Sequence, residues 1–250
     1  MFRLLKFKPP HGWEAVAWEL GIVTLGVIIA LTAQQLAEDR SWKAKASDTT
    51  AALRDEVSDH YAWSVEWRAV EPCIVAQIDR MEQRVLASGE TLSPAPVYSV
   101  PGAGGYVMRL PSKEYHSLVW EAAISDGVSS HLDPSLRKEL SGHYAQVQML
   151  VELTRQNNVD QNRVLALSKP LPLDPSVRFS ILELLEQMRG RTEFMGLLAG
   201  QMIDHIAKAG MTPRQGVVRE ALSRYGTYKF CRAEGLPTRP IKEAMTALPN

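Results

Sequence analysis

The chain has 250 residues, with 28 Lys and Arg against 28 Asp and Glu, so its formal net charge is zero. The charges are scattered and no basic run is interleaved with aromatics, which argues against a nucleic-acid partner. Apolar residues make up 45%, enough for a real core, so wholesale disorder is excluded.

Residues 1–14 form a short basic lead with Arg3, Lys6, Lys8 and Pro9-Pro10. It would lie in the cytoplasm. Ala15 to Ala37 follows, 23 residues with one charge, Glu19. At about 1.5 Å per residue, a helix of that length crosses a hydrocarbon core of about 30 Å. The run is longer than a signal-peptide core. It reads as a retained single anchor, with Trp13 and Trp18 suited to the headgroup belt. The expected location is a bacterial inner membrane, with the bulk of the chain in the periplasm. The Lys/Arg balance across the span is nearly even: Arg40, Lys43, Lys45 and Arg54 follow it. The short basic amino end favours the inside.

A carboxylate inside a span is costly and normally faces protein, water or headgroups. At about 100° per residue, Glu19, Gly26, Ala30, Ala33 and Ala37 fall within about 40° of one line. Gly26 and Ala30 form a small-xxx-small pair that lets two helices approach closely. The partners implied are the bilayer itself and a second span, in a homodimer or on another membrane protein. The alternative is a lone anchor with an interfacial Glu19 and incidental small residues.

No breaker follows until Pro72. Leu53, Val57, Tyr61 and Val65 recur at helical spacing. The anchor helix is therefore expected to run on into a long soluble helix. Pro72 would kink or restart it, and the helix would end near Ser88. Residues 89–111 hold Pro and Gly in quantity and predict a loop, with a short strand pair around Val97-Tyr98 and Tyr106-Val107-Met108. Gly102, Gly104 and Gly105 lack the Lys-Ser/Thr and strand–helix frame of a phosphate loop.

Ser112-Lys-Glu-Tyr predicts the start of a short helix ending near Gly127. Asp133-Pro134-Ser135 starts the next, with Asp as N-cap and Pro in the first turn, running to about Leu167. Asp174-Pro175-Ser176 repeats the signal for a helix to about Ala209, stopped by Gly210. Thr212-Pro213 would open another, to about Tyr225. The tail from Gly235 is Pro-spaced and reads as loose, with a last turn at 241–248. The expected fold class is all-α: one transmembrane helix, an antiparallel bundle over 38–234 and a carboxy-terminal tail over 235–250.

Cys73 and Cys231 are the two cysteines. In an oxidising compartment they could pair, with two unpaired cysteines as the alternative; in the cytoplasm they would stay buried thiols.

An internal echo joins two predicted helices. Leu53 to Ala62 reads LRDEVSDHYA, and Leu136 to Ala145 reads LRKELSGHYA, identical at seven of ten positions. Glu56/His60 and Glu139/His143 are each four apart, so each pair shares a helix face. Brought together, the four could ligate zinc or iron. The di-iron bundles instead use Glu and His three apart with more carboxylates. The plain alternative is a solvated helix face. There is no Gly-x-Ser-x-Gly, HExxH or Walker sequence, and the residues name neither a catalytic group nor a cofactor.

Glu19, Gly21, Val23, Gly26, Val27, Ile28, Ala30, Leu31, Gln34 and Gln35 resemble the start of bacterial single-span membrane proteins of the DUF6090 type. The likeness covers roughly residues 14–45. It implies one span and a mostly helical soluble domain, and no activity. On these readings the chain is a membrane-anchored interaction, scaffold or accessory protein. The alternatives are a membrane-tethered metal-dependent enzyme using the Glu/His pairs and a small-molecule-sensing bundle.

Overall fold

The computed structural model describes residues 12–100, 104–224 and 226–246. The lead residues Arg3, Lys6 and Lys8 lie outside them, as do Tyr225 and the last four positions. The chain divides into two compact units, Met1–Asp48 and Thr49–Asn250.

The first unit contains the amino-terminal part of one long helix, α1 (Trp13–Ala87). This stretch is apolar and long enough to cross a membrane, and none of its most apolar window is buried. Ile22, Val23, Leu25, Ile28, Ile29 and Leu31 are all more than half exposed.

The second unit is all-α, as the residues predict. It holds the rest of α1, then α2 (Leu118–Ser125), α3 (Pro134–Val164), α4 (Pro175–Lys208), α5 (Val217–Arg224), α6 (Gly226–Ala233) and α7 (Ile241–Ala244). Leu53, Val57, Val65, Ile74, Ile78 and Val85 of α1 are buried to 1% exposure or less. Apart from Val65 they fall within about 100° of arc at 100° per residue, a stripe that explains why this mixed sequence forms a core helix. Helix α1 runs through Pro72 as one element rather than restarting there. The proline lacks the N–H that would have bonded the carbonyl of Arg68, and its ring crowds that carbonyl.

Asp133 and Asp174 cap α3 and α4. Asp133 accepts from the N–H groups of Ser135 and Leu136, and Asp174 from that of Val177. The carboxy end of α1 is capped from α4: Arg178 donates to the carbonyls of Val85, Ser88 and Gly89. This pairing places a cation on a helix carboxy terminus, where the carbonyls are orphaned and the dipole is negative. In the Pro/Gly segment, β2 (Tyr98–Val100) pairs antiparallel with β3 (Gly104–Tyr106). A second two-residue pair joins β1 (Thr91–Leu92) to β4 (Leu171–Pro172).

Three expectations are corrected. The helix expected from Ser112 begins at Leu118 instead; residues 111–117 form no regular element, and Tyr115 among them is buried. The helix expected at Thr212 begins at Val217, after Arg214 has given its N–H to the Ser58 hydroxyl on α1. The segment from Gly235 is not a loose tail. Leu236 and Ala244 are buried, the Arg239 N–H donates to the Ala69 carbonyl at 2.9 Å, and Arg68 donates to the Ala244 and Thr246 carbonyls. Small buried side chains let this segment sit directly on α1.

Cys73 on α1 and Cys231 on α6 form a disulfide, with Cα atoms 5.9 Å apart.

Candidate functional site

The echo sequences meet. His60 on α1 and His143 on α3 are 0% and 1% exposed, and Nδ1 of His60 lies 3.0 Å from Nε2 of His143. The rings stack with centroids 5.2 Å apart. One nitrogen donates and the other accepts, which a pair of neutral imidazoles satisfies. His60 Nε2 and His143 Nδ1 have no hydrogen-bond partner among the described residues. Trp63, Tyr115, His116 and Tyr144 surround His60 at centroid distances of 5.4 to 6.1 Å from one another or from its ring. Trp120 stacks flat on Tyr144 at 5.2 Å.

The two glutamates of the echo turn elsewhere. Glu56 accepts from the Tyr144 hydroxyl at 2.6 Å and from the Val119 N–H at 3.0 Å. It thereby satisfies a donor at the start of α2, an amino terminus that its own flanking side chains leave uncapped. Glu139 pairs with Nδ1 of His205 on α4 at 2.8 Å. Gly142 makes that approach possible, since a Cβ there would sit 2.8 Å from the His205 ring. The echo has Asp59 at the equivalent position, so the duplicated helices are used differently.

Glu56, His60, Glu139 and His143 therefore do not form one ligand set. Among the described residues no group of three or more His, Cys, Asp or Glu comes together in a way that could hold a metal ion. The arrangement is a buried polar junction between α1, α2, α3 and α4.

Its electrostatics follow from burial. Desolvation pushes His60 down to about 3, helped by the nearby His116. The same effect, with His60 and His205 as neighbours, holds His143 well below its ordinary value. Tyr144 is raised by burial and by its bond to Glu56, and Tyr115 is raised by burial. Glu66, six residues beyond His60 on α1, is 1% exposed. Neither carboxylate oxygen has a hydrogen-bond partner among the described residues. Burial lifts it to about 7, against the opposing pull of Lys113 and Arg109. A neutral His pair and a carboxyl raised by burial make up this polar core, and neither imidazole is open to a substrate in this arrangement.

The candidate packing face of α1 is open. Glu19, Gly26, Ala30 and Ala33 are all exposed, and a Cβ placed on Gly26 would meet nothing within 4 Å.

Sequence reasoning missed Glu66 and the Glu56–Tyr144 bond. The latter joins positions 88 apart, which no local pattern encodes. Repetition of His-Tyr-Ala was the usable signal, because it put Tyr144 beside His143.

Family models, curated proteins and solved structures were all compared with the chain, and nothing matches.

Proposed function

We propose that this chain is a single-pass membrane protein that works by association: its span packs on a second span, and its helical unit is the module held at the membrane. The observation that carries this reading is the exposed apolar stretch of α1, with a line of small residues and one carboxylate along it. Lipid solvates Ile and Leu on all sides, so apolar exposure alone needs only a bilayer. A carboxylate within the span is best accommodated against protein, and small residues on the same line permit close approach.

We place the amino end in the cytoplasm and the second unit in the periplasm. The Cys73–Cys231 disulfide supports this orientation, because such bonds persist in oxidising compartments. In this reading the His60–His143 junction fixes the module's core rather than performing chemistry.

Cysteines placed singly at Gly26, Ala30 and Ile28 test the association in native membranes. Ile28 lies about 180° from the Glu19 line at 100° per residue. Adducts are expected from positions 26 and 30 and not from 28, with a discrete complex in mild detergent that Gly26→Leu dissociates. No adduct from any position, with a monomeric particle, would refute the reading.

A small-molecule role is favoured by a separate observation in the second unit, a basic-rimmed apolar cleft.

A further inference from the structure

Helices α5, α6 and α7 enclose an open cleft of about 860 Å³ against α1. Its floor is Tyr61, Val218, Tyr228 and Ile241. These are half-exposed side chains packed on the buried cluster of Val65, Ala69, Ile203 and Ala244. The floor is thus the outer layer of the core, left open to solvent. Leu222 and Met245 add apolar wall. The volume falls in the range of about 300–1,000 Å³ common for small-molecule sites.

The walls are fixed to α1 by separate ties. Arg214 precedes α5 and bonds both Ser58, at 3.0 Å, and Asp59, at 2.7 Å. Helix α6 is held by the Cys73–Cys231 disulfide. Helix α7 is held by Arg68, which donates to the Ala244 carbonyl at 3.1 Å. A cleft so braced is preformed, which lowers the ordering cost of binding.

The charge of the cleft has one sign. Arg214, Arg219 and Lys229 line it, and no Asp or Glu does. Arg214 is occupied by Asp55 and Asp59. Arg219 and Lys229 are exposed and enter no ion pair among the described residues. They stand on neighbouring helices at the edge of an otherwise apolar trough.

We infer that this cleft binds a single-chain amphiphile with an anionic head: the chain lies on Tyr61, Val218, Tyr228 and Ile241, and the carboxylate or phosphate meets Arg219 and Lys229. An apolar chain supplies the affinity, roughly a factor of four for each methylene removed from water. The paired cations supply orientation and select against neutral chains. The absence of acids from the lining is what separates this ligand class from a neutral or cationic one.

The test uses the full-length chain in phosphatidylcholine nanodiscs and a diazirine-bearing palmitic acid, with the labelled peptides mapped by mass spectrometry. The span takes up label from the bilayer in every variant and serves as the internal standard. Label on residues 214–245 is expected to saturate at one per chain. Palmitate should compete for it about tenfold better than palmitamide. The Arg219→Glu/Lys229→Glu variant should weaken it about tenfold, and Leu222→Trp, which fills the trough, should abolish it. Both variants must keep the helicity and disulfide of the parent. Lysophosphatidate is included as a competitor, and its rank against palmitate separates a phosphate from a carboxylate head; either order supports the inference. Label confined to residues 15–37 would overturn it. Equal competition by the amide would overturn the anionic assignment, as would labelling indifferent to Leu222→Trp. Labelling that appears only after residues 247–250 are removed would make the chain's own end the occupant and would likewise overturn it.

Discussion

Two stretches of α1 invert the usual relation between apolarity and burial. Residues 15–37 are the most apolar in the chain, and their large side chains stay exposed: Leu20 at 66%, Val23 at 62%, Ile29 at 59%. Residues 53–85 carry Glu56, His60, Glu66 and Arg68, all less than 9% exposed. The same backbone geometry serves both. What differs is burial: the large side chains of the first stretch stay exposed, and those of the second pack into the core of the second unit. Burial in the second stretch is driven by a stripe of Leu, Val and Ile, which takes polar neighbours into the core with it. Those polar groups must then find partners or lose their charge. Glu56 finds Tyr144 and the Val119 N–H; His60 and His143 find each other and stay neutral.

The contrast predicts that stabilising links act on one stretch alone. The largest effect should come from the disulfide, which closes a loop with 158 residues of separation. Replacing both cysteines by Ser should cost about 4 kcal/mol of unfolding free energy, read from denaturant titration of the second unit. Membrane extraction by carbonate should be unchanged. A next effect of about 3 kcal/mol is expected for Ile78→Ala, which removes a fully buried side chain and leaves a cavity. An unaffected denaturant midpoint would show that this stretch is not the core.

A third effect concerns pH. His60 sits at about 3 in the folded chain against an ordinary 6.5. Its contribution is full above pH 6.5 and is lost as pH falls towards 3, by about 2 kcal/mol at pH 5. Glu66 runs the other way, raised from 4.5 to about 7. Its neutral form is at home in the core below pH 4.5, and stability is lost as pH rises from there to 7. Acidification from pH 7 to 5 therefore returns about 2 kcal/mol from Glu66. In the parent chain the Glu66 slope offsets part of the histidine slope, to which His143, also held low by burial, adds. In Glu66→Gln the slope of His60 and His143 stands alone, and stability should fall by at least about 2 kcal/mol between pH 7 and 5. A flat profile in that variant would remove the neutral His pair from the account.

Legibility in the sequence followed the range of the interaction. The caps at Asp133 and Asp174 were readable because donor and acceptor lie within three residues. The apolar stretch was readable from composition, and the hairpin from Pro and Gly. The start of α2 was not: Ser112-Lys-Glu-Tyr has the local pattern of a cap, but the segment forms no helix and Tyr115 within it is buried. The pair β1–β4 is two residues long and joins distant parts of the chain. The echo was readable, and so was the shared face of each Glu/His pair. Its pairing was not, because Gly142 in place of Asp59 admits His205 and draws Glu139 away. The cleft arises only when α5, α6 and α7 are packed on α1. Its floor residues carry no pattern that sets them apart from core, which is why Tyr61 looked like an ordinary helix position.

The smallest effect sharpens the contrast most. Ile28 and Ile78 are the same residue type on the same helix, 54% and 0% exposed. If the first stretch is solvated by lipid and contributes nothing to the packing of the second unit, Ile28→Ala should move the unfolding of that unit by less than about 0.5 kcal/mol. Because Ile28 lies opposite the Glu19 line, association of the span should also survive. The change does remove apolar surface from the bilayer, which shortens the margin for insertion without ending it, since the remaining run is still long enough to cross. A loss of several kcal/mol from Ile28→Ala, measured beside Ile78→Ala in the same detergent, would mean that residues 15–37 pack on protein all round. The division of α1 between two media would then be wrong.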